Sequence, residues 1–156
     1  MAGALRRAGF EVQFIDAVGL SLDTRHPVGF DCYLYGLSPD QVVKRINVDT
    51  EIVGIGFGFS FEWPTCRDLV NDIRKKFPNA LLLGGGEHLT AMPEQTMQDT
   101  ELDIGILGEG EEIAVEVARA YQAGALDPSK ILGVTFKSPS GEVIQNDRRP
   151  RLRLPL

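Results

Sequence analysis

The chain has 156 residues, 43% of them hydrophobic, which is one domain's worth of core and leaves no room for a second, catalytic domain. Its 16 lysines and arginines against 22 acids give a net charge of -6, which argues against a broad basic surface for nucleic acid. No apolar run approaches the ~20 residues that cross a bilayer, and the opening MAGALRRAGF lacks the apolar stretch of a signal peptide, so a cytoplasmic protein without membrane attachment is expected.

Short apolar runs alternate with amphipathic stretches along the chain, the pattern of a parallel α/β sheet. Residues 4–9, ALRRAG, read as the end of a helix stopped at Gly9, and residues 11–17, EVQFIDA, as a strand. Residues 18–37 carry little periodicity and are long for a connection, which makes them either a functional excursion or a disordered loop. SPDQVVKRI, 38–46, has a Ser38 cap with acid early and base late and predicts a helix. EIVGIGF, 51–57, predicts a buried strand, and Trp63 to Phe77 a helix with Pro64 in its first turn and Pro78 at its end.

ALLLGG, 80–85, predicts the next strand, MPEQTMQDT, 92–100, a short helix, and DIGILG, 103–108, a further strand. GEEIAVEVARAYQAG, 110–124, predicts a helix with a glycine stop, and residues 131–146 a hairpin turned around Ser140-Gly141. The sum is a doubly wound parallel sheet with a C-terminal β-hairpin, in a domain of residues 1–147. Such a domain normally starts on a strand, whereas Met1 stands almost inside a helix, so the first strand is expected to be missing from this chain. RRPRLRLP follows the hairpin, and its prolines suit residues 148–156 to an extended, solvated basic linker rather than an anion-binding patch.

Open parallel sheets bind ligands beyond the carboxyl ends of their strands, where strand order reverses. Three strand exits are therefore candidates: Gly58 to Trp63, Gly84 to His88, and Gly108 to Glu112. Glycines there allow close approach of something bulky to the main chain. A phosphate loop fits poorly, because neither G-x-G-x-x-G nor G-K-[ST] occurs, and Glu87, Glu109, Glu111 and Glu112 crowd the helix starts. The same acids suit a ligand rich in amide donors, and also serve as partners of the helix dipole. Ser60, Phe61 and Trp63 could line a planar ligand, with Trp63 alternatively anchoring its helix on the core.

His88 alone does not make a metal site, and Cys32 and Cys66, 34 residues apart, lack any paired ligand spacing, so reduced thiols and no protein-held metal are expected. Asp23, His26 and Gly29 form D-x-x-H-x-x-G, one residue longer than a D-x-H-x-x-G cobalamin signature and placed after the wrong strand; coincidence is the reading taken. A stand-alone acid-base enzyme using Glu87 and His88 has no nucleophile or triad to accompany it.

The succession ALRRAGFEVQFIDA, YGLSPDQVVKRI, EIVGIGFGFSFEWP, LLLGGGEHLTAMPE, DIGILGEGEE, then a hairpin and RRPRLR, resembles the N-terminal cobalamin-binding domain of B12-dependent radical SAM enzymes over about residues 4–153. The GGxH-type turn ending in His88 and the GEGE turn of Gly108 to Glu111 are the specific pieces. The resemblance implies a Rossmann-like fold with the corrin over the carboxyl ends of the strands. It implies that Ser60, Phe61 and Trp63 lie beneath or beside the corrin, that Gly84, Gly85, Gly86, Glu87 and His88 form the turn near the nucleotide tail, and that Gly108, Glu109, Gly110 and Glu111 line the other wall. Neither His26 nor His88 is assigned as the cobalt's axial ligand.

The chain has no CxxxCxxC, so it is expected to bind rather than catalyse. SAM and a [4Fe-4S] cluster would belong to a radical SAM domain in cis, with methyl transfer or related radical chemistry in the full-length protein. The competing expectation is a flavodoxin-like interaction domain without a cofactor. An open place in the sheet would favour a homodimer.

Overall fold

The computed structural model describes residues 1–29 and 31–150. Strand β4 (Leu81–Gly85) sets the layering, because all of its residues are buried and successive side chains point to opposite faces. Leu82 joins Phe57, Val70, Ile73, Leu89 and Met97 in one core, while Leu81 and Leu83 join Ile104, Ile113, Val117 and Val134 in another. A strand apolar on both faces must be covered on both, which makes three layers with the sheet in the middle.

Strand β3 (Ile52–Gly56) pairs in parallel with one side of β4, Ile52 opposite Leu81, and β5 (Ile104–Ile106) in parallel with the other, Leu83 opposite Ile104. The sheet continues antiparallel through β6 (Val134–Lys137) and β7 (Val143–Gln145), in the order β3-β4-β5-β6-β7. The sheet is thus mixed, and the predicted hairpin at 131–146 forms its last two strands.

Helix α2 (Pro39–Arg45) starts on the predicted cap: the Gln41 amide donates to Ser38 Oγ at 3.3 Å, and the Ser38 amide to Gln41 Oε1 at 2.9 Å. Val43, with Ile46 just past the helix end, packs on the first core beside α3 (Trp63–Lys76), whose Val70 and Ile73 are fully buried. Each such aliphatic side chain contributes about 1.5–3 kcal/mol by leaving water. Helix α5 (Pro93–Asp99) closes that face with Met97. On the opposite face, helix α6 (Glu111–Gln122) buries Ile113, Ala114, Val117 and Ala118, the i, i+4 stripe that sequence periodicity predicts, and Leu5 of helix α1 (Ala2–Arg7) packs against the same core.

Some expectations change. Residues 11–17 do not form a strand. They make no ladder with β3, whose outer edge has no described strand beside it. Gln13 of this segment instead grips the end of α2, donating to the Arg45 carbonyl at 2.7 Å and accepting from the Asn47 amide at 3.1 Å. For the same reason strand order rises without reversal among the described residues, and the switch point expected at the site is not seen there.

Residues 18–37 are neither loop nor disorder throughout. They contain an antiparallel hairpin of β1 (Arg25–Gly29) and β2 (Cys32–Tyr35), with His26 opposite Leu34. A short additional helix, α4 (Glu87–Ala91), follows β4 directly. No helix of the described residues is long and apolar enough to cross a membrane.

Candidate functional site

The parallel ladder of β3 and β4 continues past the strands' ends. The Phe57 amide donates to the Gly85 carbonyl at 2.7 Å, and the Phe57 carbonyl accepts from the His88 amide at 3.3 Å. This brings the first exit against the second. Beyond Gly58 the chain makes one tight 3₁₀ turn, Ser60–Glu62, before Trp63 opens α3.

Ser60 is exposed but sets its Oγ 2.9 Å from Nδ1 of His88. Its neighbours Phe59 and Phe61 face outward, 63% and 80% exposed, with rings stacked 5.6 Å apart and 18° from parallel. Trp63 lies beneath, its ring 4.5 Å from the His88 ring and 28° from parallel, and Phe57 meets Trp63 edge-on.

His88 is therefore 5% exposed, held by Ser60 on one nitrogen and by an indole on its face. Burial moves its pKa down from the ordinary 6.5, so the imidazole is neutral at pH 7. Its Nε2 is buried without a hydrogen-bond partner among the described residues. A buried polar atom left so costs about 1–3 kcal/mol, which a ligand group could recover.

The glycines of the second exit answer first to the protein's own packing. A Cβ on Gly84 would stand 2.6 Å from Leu102, 2.8 Å from Phe57 and 2.9 Å from Leu89. Gly86 has φ +114°, and a Cβ there would lie 2.4 Å from the Phe57 carbonyl oxygen. Only Gly85 meets ordinary contacts, with Met1 at 3.7 Å. At these positions the run GGG lets β4 leave the sheet tightly against Phe57, and is not by itself an open cradle.

The third exit adjoins the second. The Gly108 amide donates to Thr90 Oγ1 at 3.0 Å, and a Cβ on Gly108 would find open space at φ +80°. Gly110 caps α6 and packs under Met1, while Glu109, Glu111 and Glu112 are exposed. Glu87, Thr90, Gly108, Glu109, Glu111 and Glu112 line one cleft of about 390 Å³ together with Arg148, Arg149 and Pro150.

Arg149 is not the solvated side chain that a free linker predicts: it pairs with Glu112 at 3.5 Å and with Glu116. Arg151 and Arg153, the rest of the basic run, lie outside the described residues. Among the described residues Glu87 and Glu109 pair with no cation, leaving their carboxylates available as acceptors.

The predicted residues thus fall into two linked groups, Ser60 and Trp63 on His88 with Phe61 exposed beside them, and Glu87 beside Gly108 to Glu111. Sequence reasoning placed Phe59 in the first exit without singling it out, and passed over Thr90. The F-x-F spacing around Ser60 was a signal for the first, since alternate residues of an extended exit share a side; nothing in the sequence singles out Thr90. His26 sits apart in the β1-β2 hairpin, its Nε2 3.1 Å from the Gly36 carbonyl oxygen. No three His, Cys, Asp or Glu side chains among the described residues are grouped to hold a metal ion.

Comparison with known proteins identifies the family and the fold. The model of the B12 binding domain family matches residues 1–118. Among curated proteins, cytidylyl-2-hydroxyethylphosphonate methyltransferase of Streptomyces wedmorensis is 29% identical over 146 residues, covering 92% of this chain and 27% of that protein. Anaerobic magnesium-protoporphyrin IX monomethyl ester cyclase of Cereibacter sphaeroides is 32% identical over 157 aligned positions, covering 98% of this chain and 23% of that protein. The chain thus spans about a quarter of the length of these relatives.

Among solved structures, the cobalamin-dependent S-adenosylmethionine radical enzyme OxsB, with aqua-cobalamin and S-adenosylmethionine bound, superposes with a TM-score of 0.62 at 18% identity. The match covers 72% of this chain and 16% of that one. The radical S-adenosylmethionine methyltransferase TsrM of Kitasatospora setae, with cobalamin and a [4Fe-4S] cluster bound, gives 0.57 at 20% identity, covering 70% and 21%. At such identities the likeness is one of fold: a Rossmann-like α/β domain.

Proposed function

This chain belongs to the B12-binding domain family, and from that premise we propose that it holds cobalamin across the carboxyl ends of β3, β4 and β5. The observation that carries the placement is the buried Nε2 of His88, which has no partner among the described residues and sits where the first two strand exits meet. Ser60, Phe61 and Trp63 give the apolar and aromatic side of the site. Gly84, Gly85, Gly86 and Glu87 carry His88 to its place, and Gly108, Glu109, Gly110 and Glu111 offer carboxylates to a rim of carboxamide donors. These residues fit the molecule: a large, flat, amide-fringed group needs apolar area, hydrogen-bond acceptors and few cations.

When bound, cobalamin supplies the group-carrying cobalt chemistry, and the domain contributes binding, orientation and electrostatics. His88 in its neutral form offers Nε2 to a peripheral amide; whether it donates or accepts follows from the proton on Nδ1, which Ser60 sets.

We take the working protein to join this domain, residues 1–147, through the basic segment 148–156 to a radical SAM domain in cis. That domain would hold SAM and a [4Fe-4S] cluster and carry out a methyl transfer or related radical reaction. The radical S-adenosylmethionine methyltransferase TsrM, which shares this fold and is seen with cobalamin and a [4Fe-4S] cluster bound, supports this assembly. A cytoplasmic setting suits the two free thiols, Cys32 and Cys66. The outer edge of β3, with no described strand beside it, is the place at which a homodimer would form.

Titrating the folded chain with hydroxocobalamin while following the visible spectrum tests the binding. A saturable change with one cobalamin per chain is expected. An unchanged spectrum at high micromolar cobalamin contradicts the proposal and favours an interaction module without a cofactor.

A further inference from the structure

A pair of large aromatic side chains stands in water beside this site, and the fold spends a specific contact on keeping it there. Residues 57 to 63 divide by direction. Phe57 and Trp63 are buried, the exposed Ser60 bonds the buried His88, and Phe59 and Phe61, on either side of Ser60, are exposed together. Their rings stack at 5.6 Å, 18° from parallel, on a 3₁₀ turn too short to hold its own shape by backbone bonding alone.

What holds that turn is the side-chain bond from Ser60 Oγ to His88 Nδ1, at 2.9 Å, and His88 is fixed in turn by Trp63 against its ring and by its own amide on the Phe57 carbonyl. Scattered exposed hydrophobics need no explanation, but two stacked, outward-facing rings tied through Ser60 to a buried histidine at the carboxyl edge of a sheet form an organised apolar surface.

We propose that Phe59 and Phe61 form a platform for the corrin ring, and that Ser60 and His88 are positioning residues that set its height and tilt. This deepens the cobalamin reading and rests on it. It assigns Phe59 to the site, and it gives Ser60 a role through His88 rather than through the ligand. The corrin is the occupant that fits, because the family binds a corrinoid and because the rings flank Ser60, whose hydroxyl holds His88, the residue whose Nε2 lacks a partner among the described residues. Pre-set rings bind without the ordering cost that mobile ones incur.

The test uses the full chain and two probes, hydroxocobalamin and aquocobinamide, which carries the corrin but not the nucleotide tail. The wild-type chain is titrated with hydroxocobalamin first, and failure of that titration sinks the cobalamin reading itself. With wild-type binding in hand, Phe59→Ser with Phe61→Ser is expected to weaken both probes about tenfold or more, because it strips the aromatic contact from the ring. The exposed positions leave folding intact. Binding of the double variant at wild-type strength overturns the platform, and so does a loss confined to hydroxocobalamin, since that places the rings on the tail.

Ser60→Ala is expected to weaken both probes several-fold. Without any ligand it should also shift the emission of Trp63, the chain's only tryptophan, because His88 is freed beneath it. Ser60→Thr, which keeps the hydroxyl, is expected to restore both readouts. Wild-type binding by Ser60→Ala, or failure of the threonine to rescue, overturns the positioning role.

Discussion

Around His88 the carboxyl edge of the sheet is held by buried and largely uncharged contacts: one imidazole between a serine and an indole, a carbonyl accepting an amide, two glycines with no room for a methyl group. From Gly108 to Glu112 the same edge is held by carboxylates at the surface, some of them answered by Arg149 and others not. The first side depends on shape and is indifferent to salt. The second tolerates changes of shape and is open to screening. A site that joins the two can place a ring by geometry on one flank and read its polar fringe by charge on the other.

The sharpest way to break the first side is Gly86→Val. The new side chain would meet the Phe57 carbonyl at a backbone conformation valine does not adopt, and a loss of more than about 3 kcal/mol in urea unfolding is expected. Gly108→Ala also places a side chain at positive φ, but into open space, and should cost only about 1 kcal/mol. Equal losses at both positions would erase the contrast in packing.

Acid should act on the first side as well. The folded pKa of His88 lies below the unfolded 6.5, so the unfolded chain takes up its proton first. The stability associated with the neutral ring is complete above 6.5 and falls as pH drops through the folded value. The urea midpoint should therefore decline below pH 6.5, with Trp63 emission falling alongside as the ring beside it charges. His88→Gln should flatten both profiles, and an unchanged profile in that variant would remove His88 from the account.

On the charged side the effects are smaller. Arg149→Ala should cost no more than about 1 kcal/mol, and the difference from wild type should shrink as salt is raised. A loss independent of salt would mean that Arg149 acts by packing. Smaller still is a difference in thiol reactivity. Burial, with the Glu62 carboxylate adding to it, pushes the Cys66 thiol up to about 11, whereas Cys32 is exposed. Alkylation at pH 8 followed by mass spectrometry should mark Cys32 well before Cys66.

The parts legible in the sequence were those whose burial leaves a period. The all-apolar run of β4, the i, i+4 stripe of α6 and the Ser38 cap of α2 each impose a pattern on residue type, and each stands where the pattern put it. The β1-β2 hairpin was hidden because nothing in it is buried, only His26 and Leu34 being half-covered, so that the exposed Val28, Tyr33 and Tyr35 follow no inside-outside alternation. EVQFIDA has the composition of a strand but pairs with no other strand, and composition does not encode pairing.

At the site, His88 stood out because histidine is rare in this chain. Its bond to Ser60 did not, because the two come from different loops and meet only when β3 and β4 pair. The meaning of GGG changed most. Close approach was the correct physical reason, but at Gly84 and Gly86 what approaches is the protein's own core and the Phe57 backbone.

The most direct measurement is a crystal structure of this chain grown with hydroxocobalamin. The account predicts the corrin over the carboxyl ends of β3, β4 and β5, with one face on Phe59 and Phe61, a peripheral amide within hydrogen-bonding distance of His88 Nε2, and the rim facing Glu109 and Glu111. A cobalamin bound elsewhere on the domain, or one seated at this edge with His88 Nε2 still without a partner, would contradict it.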